Sequence, residues 1–249
     1  MVPHQRLLLK IGYYGLGPLE PWFKDFLVGR KQTVVVEGVH SREIEVLSGV
    51  PQGTVLGPLC FLLFINHLPE EIESFADISS QLSNANQNLI DNPDDSFIGI
   101  FADDTLIARE IKNNDDGNKL QKDLRSLENW TKMWGMHFNA GKCELLRVTR
   151  KRKPIETEYY LNDTKLKQKS EIKYLGVTID EKLSWKKHIL NKKKKGTTVL
   201  NMIRRNLHFA PKAVKETAYI SAVRPIVEYA SAVWSPNSEQ QKSNFDQKN

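Results

Sequence analysis

Two adjacent acidic residues, Asp103 and Asp104, lie between two short apolar runs and are the first candidates for chemistry in this sequence. The flanking runs, residues 97–101 and 105–108, predict a tight β-hairpin with the carboxylates at its turn. Neighbouring carboxylates repel each other unless a cation lies between them, and Mg²⁺ prefers such hard oxygen ligands. A divalent-metal site is one interpretation of the couplet, and a solvent-exposed Asp-Asp turn is the other.

A glycine-rich loop precedes this hairpin. Gln52 lies in it, flanked by Gly49, Pro51 and Gly53, and an almost wholly apolar segment follows at residues 59–68. Glycines let the backbone approach a base or sugar closely, and the Gln52 amide can hydrogen-bond to it. A glycine-rich helix entry without a ligand is the alternative. The apolar segment predicts a helix that is buried on all sides.

Basic residues are concentrated in the second half of the chain. Between Lys142 and Arg205 there are 19 Lys or Arg and 7 Asp or Glu, whereas the whole chain has a net charge of only +6. This asymmetry is typical of a region that faces a polyanion such as nucleic acid, although solvated helix faces give the same pattern. The two isolated cysteines and the absence of a run of ~20 apolar residues favour a soluble, intracellular protein with no membrane span.

The periodicity of apolar residues predicts both helices and short strands. Helices are predicted at residues 3–14, 18–28, about 115–134, 185–207 and 211–229. In the third of these helices the apolar residues form one stripe, which consists of Leu120, Leu124, Leu127, Trp130 and Trp134. Strands are predicted at residues 32–37 and 43–47, which form a hairpin, and at residues 143–149, 159–161, 164–166 and 172–179. Residues 70–95 are polar and predict an exposed insertion.

Several motifs in a fixed order carry a resemblance to a known family. They are the loop at residues 49–53, Phe101-Ala102-Asp103-Asp104, Asn139-Ala140-Gly141-Lys142-Cys143 and Tyr174-Leu175-Gly176-Val177. With the segments 183–189, 224–230 and 234–236, the chain resembles the reverse transcriptases of non-LTR retrotransposons, in particular the jockey-like group, over about residues 2–236.

The resemblance implies an α+β fold with two parts. Residues 1–150 would form an incomplete polymerase palm, an antiparallel sheet backed by helices, with the insertion at about residues 70–96. Residues 151–236 would form the primer-grip hairpin and a mainly helical thumb, and residues 237–249 a polar tail.

The resemblance also implies site residues. Asp103 and Asp104 would be catalytic ligands of Mg²⁺ or Mn²⁺, and Lys142 would protonate the departing pyrophosphate, although a lysine capping a strand entry explains that position as well. Gly49, Pro51, Gln52 and Gly53 would position template and nucleotide. Tyr174, Leu175 and Gly176 would form the primer grip, with a purely structural hairpin as the alternative. Basic residues of the thumb would contact nucleic-acid phosphates, namely Lys186, Lys187, Lys192, Lys193, Lys194, Lys195, Arg204 and Arg205.

The implied reaction is RNA-templated DNA synthesis by two-metal nucleotidyl transfer, with an RNA template, a DNA primer and deoxynucleoside triphosphates as partners. In this family the first catalytic carboxylate precedes a segment that is similar to Val2-Pro3-His4, and an aspartate usually occupies the position of His67. We therefore expect the fingers and the first metal-binding strand to be absent and the chain alone to be inactive. The alternatives are a catalytically dead protein that binds nucleic acid through its basic thumb, and a relic without a stable fold.

Overall fold

The computed structural model describes residues 1–71 and 96–234, which divide into two compact units. Unit 1 comprises Met1–Cys143 and Ile155–Leu166, and unit 2 comprises Glu144–Pro154 and Lys167–Asn249. The predicted insertion, apart from its first two residues and its last, and the predicted tail lie outside the described residues. The assignment of a palm to residues 1–150 and a thumb to residues 151–236 stays a prediction.

The helices of the described residues are α1 (His4–Ile11), α2 (Glu20–Leu27), α3 (Leu56–Ile65), α4 (Asn114–Trp134), α5 (Lys186–Asn206), α6 (Lys212–Ala218), α7 (Arg224–Glu228) and α8 (Ser231–Trp234). Short 3₁₀ turns occur at Gly17–Leu19, Leu68–Glu71 and Ala140–Lys142, and π-type turns at Gly12–Leu16 and Tyr219–Val223. No helix in the described parts of the chain is both long and apolar enough to cross a membrane.

The strands are β1 (Lys31–Gln32), β2 (Val35–Val36), β3 (Val39–His40), β4 (Ile44–Glu45), β5 (Phe97–Phe101), β6 (Asp104–Ala108), β7 (Glu144–Leu146), β8 (Tyr160–Leu161), β9 (Thr164–Lys165), β10 (Lys167–Lys169), β11 (Glu171–Tyr174) and β12 (Val177–Asp180). Among the described residues they form six two-stranded pairs. Five are antiparallel, and β7 with β10 is parallel. The mixed α+β class is therefore confirmed.

Helix α4 is the longest element of unit 1, and its sequence explains where it begins and ends. The Asn113 side chain accepts from the backbone N–H of Asp116, and the Asp116 carboxylate accepts from that of Asn113, which satisfies N–H groups that lack a helical partner. Gly135 ends the helix in the left-handed conformation. The predicted apolar stripe is confirmed, since the stripe's Leu120, Leu124, Leu127 and Trp130 are buried.

The prediction that the apolar segment is buried on all sides is wrong. Helix α3 buries Cys60 and Phe64 in the core of unit 1, but Leu59 and Leu62 are 46% and 49% exposed. A sequence of apolar residues all round a helix shows what burial is possible, whereas the neighbouring elements decide which faces are covered. The phenyl ring of Phe64 meets the indoles of Trp130 and Trp134 edge to face, with centroids 6.2 and 5.9 Å away.

The valine-rich hairpin has a different turn from the predicted one. Strand β2 pairs with β3 around Glu37 and Gly38, both of which have positive φ, and β1 pairs with β4 outside them. Glu37, predicted as a strand residue, is therefore in the turn. Two-residue turns with positive φ match the twist of paired strands, and Gly38 adopts that conformation without strain.

Unit 2 combines strand pairs with helices, and its helices lie close to the predicted ranges. Helix α5 packs against the segment 219–228, where the absent side chain of Gly196 leaves room for Val227. A Cβ atom on Gly196 would lie 3.1 Å from a methyl carbon of Val227. The segment from Lys212 to Glu228 is helical almost throughout, as the periodicity predicts.

Candidate active site and nucleic-acid interface

Asp103 and Asp104 lie at the tip of the β5–β6 hairpin, as predicted. Phe101 pairs with Asp104, so Ala102 and Asp103 form a two-residue loop. Ala102 has φ of 52°, a conformation that costs a non-glycine residue ~1 kcal/mol or more and that tight hairpin turns require. Both acidic residues are exposed, so their carboxylates are accessible to a cation from solvent.

A buried ion pair holds the opposite end of this hairpin. Ser96 immediately precedes β5 and Arg109 immediately follows β6, and both contact Asp123 of α4. Arg109 Nη1 lies 3.5 Å from Asp123 Oδ2 and donates to Ser96 Oγ at 2.8 Å, and the Ser96 hydroxyl donates to Asp123 Oδ2. The Arg109 and Asp123 side chains are 3% and 4% exposed, so the two ends of the hairpin are tied to the helix by a desolvated charge pair.

This anchor was not among the sequence predictions, although the sequence contains one signal of it. Asp123 occupies the apolar stripe of α4, next to Leu124 and three residues after Leu120. An acidic residue on a buried helix face needs a cationic or hydrogen-bonding partner. The position therefore indicated a pair, but Arg109 could not be identified as the partner without the fold.

The couplet fits a hard divalent cation by its donor chemistry. Two adjacent exposed carboxylates supply the oxygen ligands that Mg²⁺ and Mn²⁺ take, together with water. Within residues 1–71 and 96–234, no group of three or more His, Cys, Asp or Glu side chains is arranged to hold a metal ion. The described part of the site is thus a pair of carboxylates.

Side chains from other parts of unit 1 bind a backbone carbonyl of the loop at residues 49–53. The side chain of Gln52 in this loop is exposed. The Gly49 carbonyl accepts from Arg30 Nη2 at 3.2 Å and lies 2.8 Å from His4 Nε2. Gly49 and Gly53 have φ of 90° and 78°, which glycine adopts without strain. The predicted glycines are therefore needed for the loop's conformation, and a role in binding template or nucleotide stays a prediction.

A further glycine of this region allows a close backbone approach. A Cβ atom on Gly57 would lie 2.2 Å from the Pro51 carbonyl oxygen, and the Thr54 hydroxyl bridges the two residues. This contact fixes the start of α3 against the loop that carries Gln52.

Of the two other positions that the resemblance singles out, Lys142 lies on the surface and His67 in the core. Lys142 ends the 3₁₀ turn Ala140–Lys142 and is exposed. His67 is buried, and the Trp130 indole N–H donates to its Nε2 at 2.9 Å. Burial, and then the nearby charge of Lys10, lower the pKa of His67 to about 4. His67 is therefore a neutral core residue of unit 1.

In unit 2 the turn between β11 and β12 is clamped at its tip. Leu175 and Gly176 form the two-residue loop, with φ of 44° and 78°. The Tyr229 hydroxyl donates to the Leu175 carbonyl at 2.8 Å, and the Tyr229 ring lies 3.2 Å from where a Cβ of Gly176 would be. The structure thus brings together the predicted primer-grip turn and Tyr229, which sequence analysis gave no role.

The predicted phosphate-contacting residues lie on helix α5 and do not share one face. Six of them are exposed, and they are Lys186, Lys187, Lys194, Lys195, Arg204 and Arg205. Lys187 forms an ion pair with Glu171 at 2.5 Å, and Arg204 and Arg205 line a shallow groove with Thr198 and Asn201. Lys192 and Lys193 are half-buried, and Lys192 Nζ lies 4.6 Å from the centre of the Tyr229 ring.

Residues 1–179 match the reverse transcriptase (RNA-dependent DNA polymerase) family. The chain therefore belongs to that family, and both the metal-candidate hairpin and the clamped turn lie within the matched residues.

The curated relatives belong to mobile elements. The chain is 29% identical over 187 residues to a probable RNA-directed DNA polymerase from transposon X-element of Drosophila melanogaster, which covers 75% of this chain and 19% of that protein. It is 29% identical to the RNA-directed DNA polymerase from mobile element jockey of Drosophila funebris, over 67% of this chain and 17% of the relative. A probable RNA-directed DNA polymerase from transposon BS of Drosophila melanogaster is 26% identical over 93% of this chain.

These matches confirm the resemblance to non-LTR, jockey-like reverse transcriptases. The chain spans about a fifth of the length of the curated relatives it matches. The roles of individual residues stay predictions.

Proposed function

We propose that this chain contributes the catalytic hairpin of an RNA-directed DNA polymerase. The observation that carries the proposal is the pair of exposed carboxylates, Asp103 and Asp104, at the tip of an anchored hairpin inside the segment that matches the family. In this proposal unit 1 is the larger part of a palm, and unit 2 contains the primer grip and a thumb.

Asp103 and Asp104 would hold Mg²⁺ or Mn²⁺. When bound, such ions stabilise charge on the attacking and leaving oxygens of nucleotidyl transfer. By the family resemblance Asp103, in the loop, would be the direct ligand, and Asp104 begins β6 beside it.

Other predicted site residues would bind the template, the primer and the nucleotide, and one would supply a proton. Gln52, on a loop held by Gly49 and Gly53, would contact template or incoming nucleotide through its amide. The Lys142 ammonium would donate a proton to the departing pyrophosphate, which a cation near a dianionic leaving group favours. The turn at Tyr174, Leu175 and Gly176 would hold the primer end, and the basic face of α5 would neutralise backbone phosphates.

Primer extension tests this function. An RNA template with a DNA primer, one deoxynucleoside triphosphate and Mg²⁺ or Mn²⁺ is incubated with the 249-residue chain and with Asp103→Asn. We expect little or no incorporation by this chain alone, since the couplet supplies only two carboxylates for the ions, and any incorporation that the parent chain shows should fall by about 100-fold or more in Asp103→Asn. The matched control is Asp115→Asn, which changes an exposed acidic residue in the first turn of α4 and should keep the parent rate.

The same experiment distinguishes a polymerase from a protein that only binds nucleic acid. Incorporation that is equal in the parent chain and in Asp103→Asn would overturn the assignment of the metal site. Duplex binding with no incorporation in either metal would favour a protein that binds nucleic acid without catalysis.

A further inference from the structure

Four consecutive basic residues of unit 2, the basic loop, have no role in the proposed function. They are Arg150, Lys151, Arg152 and Lys153. No acidic residue occurs from position 145 to position 155, and all four basic side chains are exposed. In the part of the chain that the structure describes, none of these side chains forms an ion pair or a hydrogen bond. The basic loop therefore presents four uncompensated positive charges to solvent.

The backbone of the basic loop is as accessible as its side chains. Residues 147–159 contain neither helix nor strand. Within residues 1–71 and 96–234, the one backbone group of the basic loop with a hydrogen bond is the Lys151 N–H, which donates to the Thr149 hydroxyl at 3.1 Å. The other N–H groups of the basic loop, and its carbonyls, can bond to a partner.

The residues on either side keep the basic loop out of a helix. The Thr149 N–H donates to the Glu181 carbonyl at 2.9 Å, which fixes the point from which the basic loop starts. Pro154 follows it, and a proline disfavours the helical conformation of the preceding residue, here Lys153. Protein grooves that bind peptides along the main chain accept non-helical segments of this kind.

A second run of four basic residues, 192–195, shows what the position in a loop adds. This run lies inside α5, where backbone N–H and C=O groups bond to one another along the helix. Its first residue, Lys192, is half-buried, with Nζ 4.6 Å from the centre of the Tyr229 ring. The two runs carry the same charge. Of the two, the basic loop leaves both its side chains and most of its main chain accessible.

We propose that the basic loop is a nuclear import signal, recognised by an import receptor whose groove presents carboxylates to a basic peptide. Short runs of lysine and arginine have this function when they are exposed, and charge-assisted hydrogen bonds to carboxylates would compensate the four charges. The free main chain favours a protein groove over nucleic acid, because phosphates offer acceptors alone, whereas a groove also supplies donors for the carbonyls. The inference goes beyond the proposed function and does not depend on it.

Nuclear import of the full chain tests the signal. The 249-residue chain is fused to a fluorescent carrier protein that is too large to diffuse through nuclear pores, and the fusion is imaged in cultured cells. The carrier alone should stay in the cytoplasm and the parent fusion should enter the nucleus. The double variant Lys151→Gln with Lys153→Gln should lower the nuclear-to-cytoplasmic ratio about tenfold, because it removes two of the four cations that pair with the groove.

The double variant Lys167→Gln with Lys169→Gln is the matched control. Both lysines are exposed, belong to the same unit and are two positions apart, as in the test variant. They lie on β10, whose backbone pairs with β7. The control removes the same charge and should leave the fusion in the nucleus. Replacing Lys151 and Lys153 by arginine keeps the charge and should preserve import.

Purified proteins separate recognition from folding. Anisotropy titrations of the labelled full chain with a purified import receptor that binds basic peptides should show about tenfold weaker binding in the Lys151→Gln, Lys153→Gln variant and no change in the control. Both variants should melt at the temperature of the parent chain. A marked loss of thermal stability in the basic-loop variant would overturn the proposal, because these lysines would then be structural.

Three other results would also overturn the proposal. They are a parent fusion that stays in the cytoplasm, import that the basic-loop variant does not reduce, and receptor binding that it does not weaken. If this variant instead weakens binding of an RNA·DNA duplex about tenfold with receptor binding unchanged, the basic loop belongs to a nucleic-acid interface. Primer extension by the parent chain and Asp103→Asn tests the proposed function separately, so either proposal can fail alone.

Discussion

The β5–β6 hairpin of unit 1 and the β11–β12 hairpin of unit 2 both have two-residue turns. The first is held at its open end and the second at its turn. The β5–β6 hairpin is tied at its open end by the buried Arg109–Asp123 pair, and its tip with Asp103 and Asp104 is exposed. The β11–β12 hairpin is held at its tip, where Tyr229 bonds to Leu175. In the proposed function the first turn offers carboxylates to a cation, which needs free space around its tip, whereas the second turn holds its backbone in one position, which the bond from Tyr229 favours.

The two units also each contain a buried histidine next to a lysine on an aromatic ring. In unit 1, His67 accepts from Trp130, and Lys10 lies 3.8 Å from the centre of the Trp134 ring. In unit 2, His188 accepts from Thr178, and Lys192 lies over Tyr229. Burial, and then the neighbouring lysine, lower the pKa of both histidines. The difference is that Lys10 is buried, whereas Lys192 is only half-buried.

The largest expected effect comes from breaking the anchor of the first hairpin. Asp123→Asn leaves the buried guanidinium of Arg109 without its carboxylate, so unit 1 should lose about 3–5 kcal/mol of unfolding free energy. Urea titration followed by hydrogen exchange of α4 amides measures the loss. The double variant Arg109→Met with Asp123→Leu should recover much of it, because an apolar pair leaves no charge unpaired. Equal losses in the single and the double variant would contradict a role for charge pairing.

The next effect is a pH dependence of the stability of unit 1. The pKa of His67 is about 4 when folded and near 6.5 when unfolded, so the unfolded chain binds the extra proton between these values. The stabilisation is fully present above pH 6.5 and is lost as the pH falls towards 4, by roughly 3 kcal/mol. Hydrogen exchange of α4 amides across this range measures it. His67→Leu should flatten the dependence, although it also removes the acceptor of Trp130, and an unchanged slope would contradict the assignment.

A smaller effect distinguishes the clamped tip from an open one. Gly176→Ala places a methyl group at positive φ and against the Tyr229 ring, and should destabilise unit 2 by about 2–3 kcal/mol. Gly38→Ala is the matched control, because Gly38 has φ of 81° and open space around its Cβ position. The control should lose only the backbone part, about 1 kcal/mol. Thermal melting of both variants measures the two losses of stability. Equal losses would show that the contact with the Tyr229 ring does not add to the cost of Gly176→Ala.

The smallest expected effect is at the exposed turn of the β5–β6 hairpin. Ala102→Gly relieves the cost of positive φ at the turn, and should slow hydrogen exchange in β5 and β6 by an amount equivalent to about 0.5–1 kcal/mol. Ala108→Gly in the extended part of β6 should have the opposite effect, because glycine is unfavourable there. Faster exchange in Ala102→Gly would indicate that the loop conformation carries no strain.

Local patterns were enough to predict many elements of the fold. The couplet at Asp103 and Asp104, the apolar stripe of α4 and the long basic helix α5 all follow from the spacing of residues along the chain. The exposure of Leu59 and Leu62 and the turn at Glu37 did not, because coverage of a helix and the choice of a turn depend on neighbouring elements. Within the candidate site, the sequence predicted the carboxylates and most of the basic residues, but neither Arg109 as the partner of Asp123 nor Tyr229 as the clamp.

The sequence by itself determined the family, the α+β class and the chemical groups that a nucleotidyl-transfer site needs, since these depend on residue types and on order along the chain. Only the tertiary structure decided which hairpin tip is exposed and which is clamped. Arg109 and Asp123 are 14 positions apart, and Leu175 and Tyr229 are 54 apart. Contacts over such separations are set by packing and burial of whole elements, and no local pattern records them.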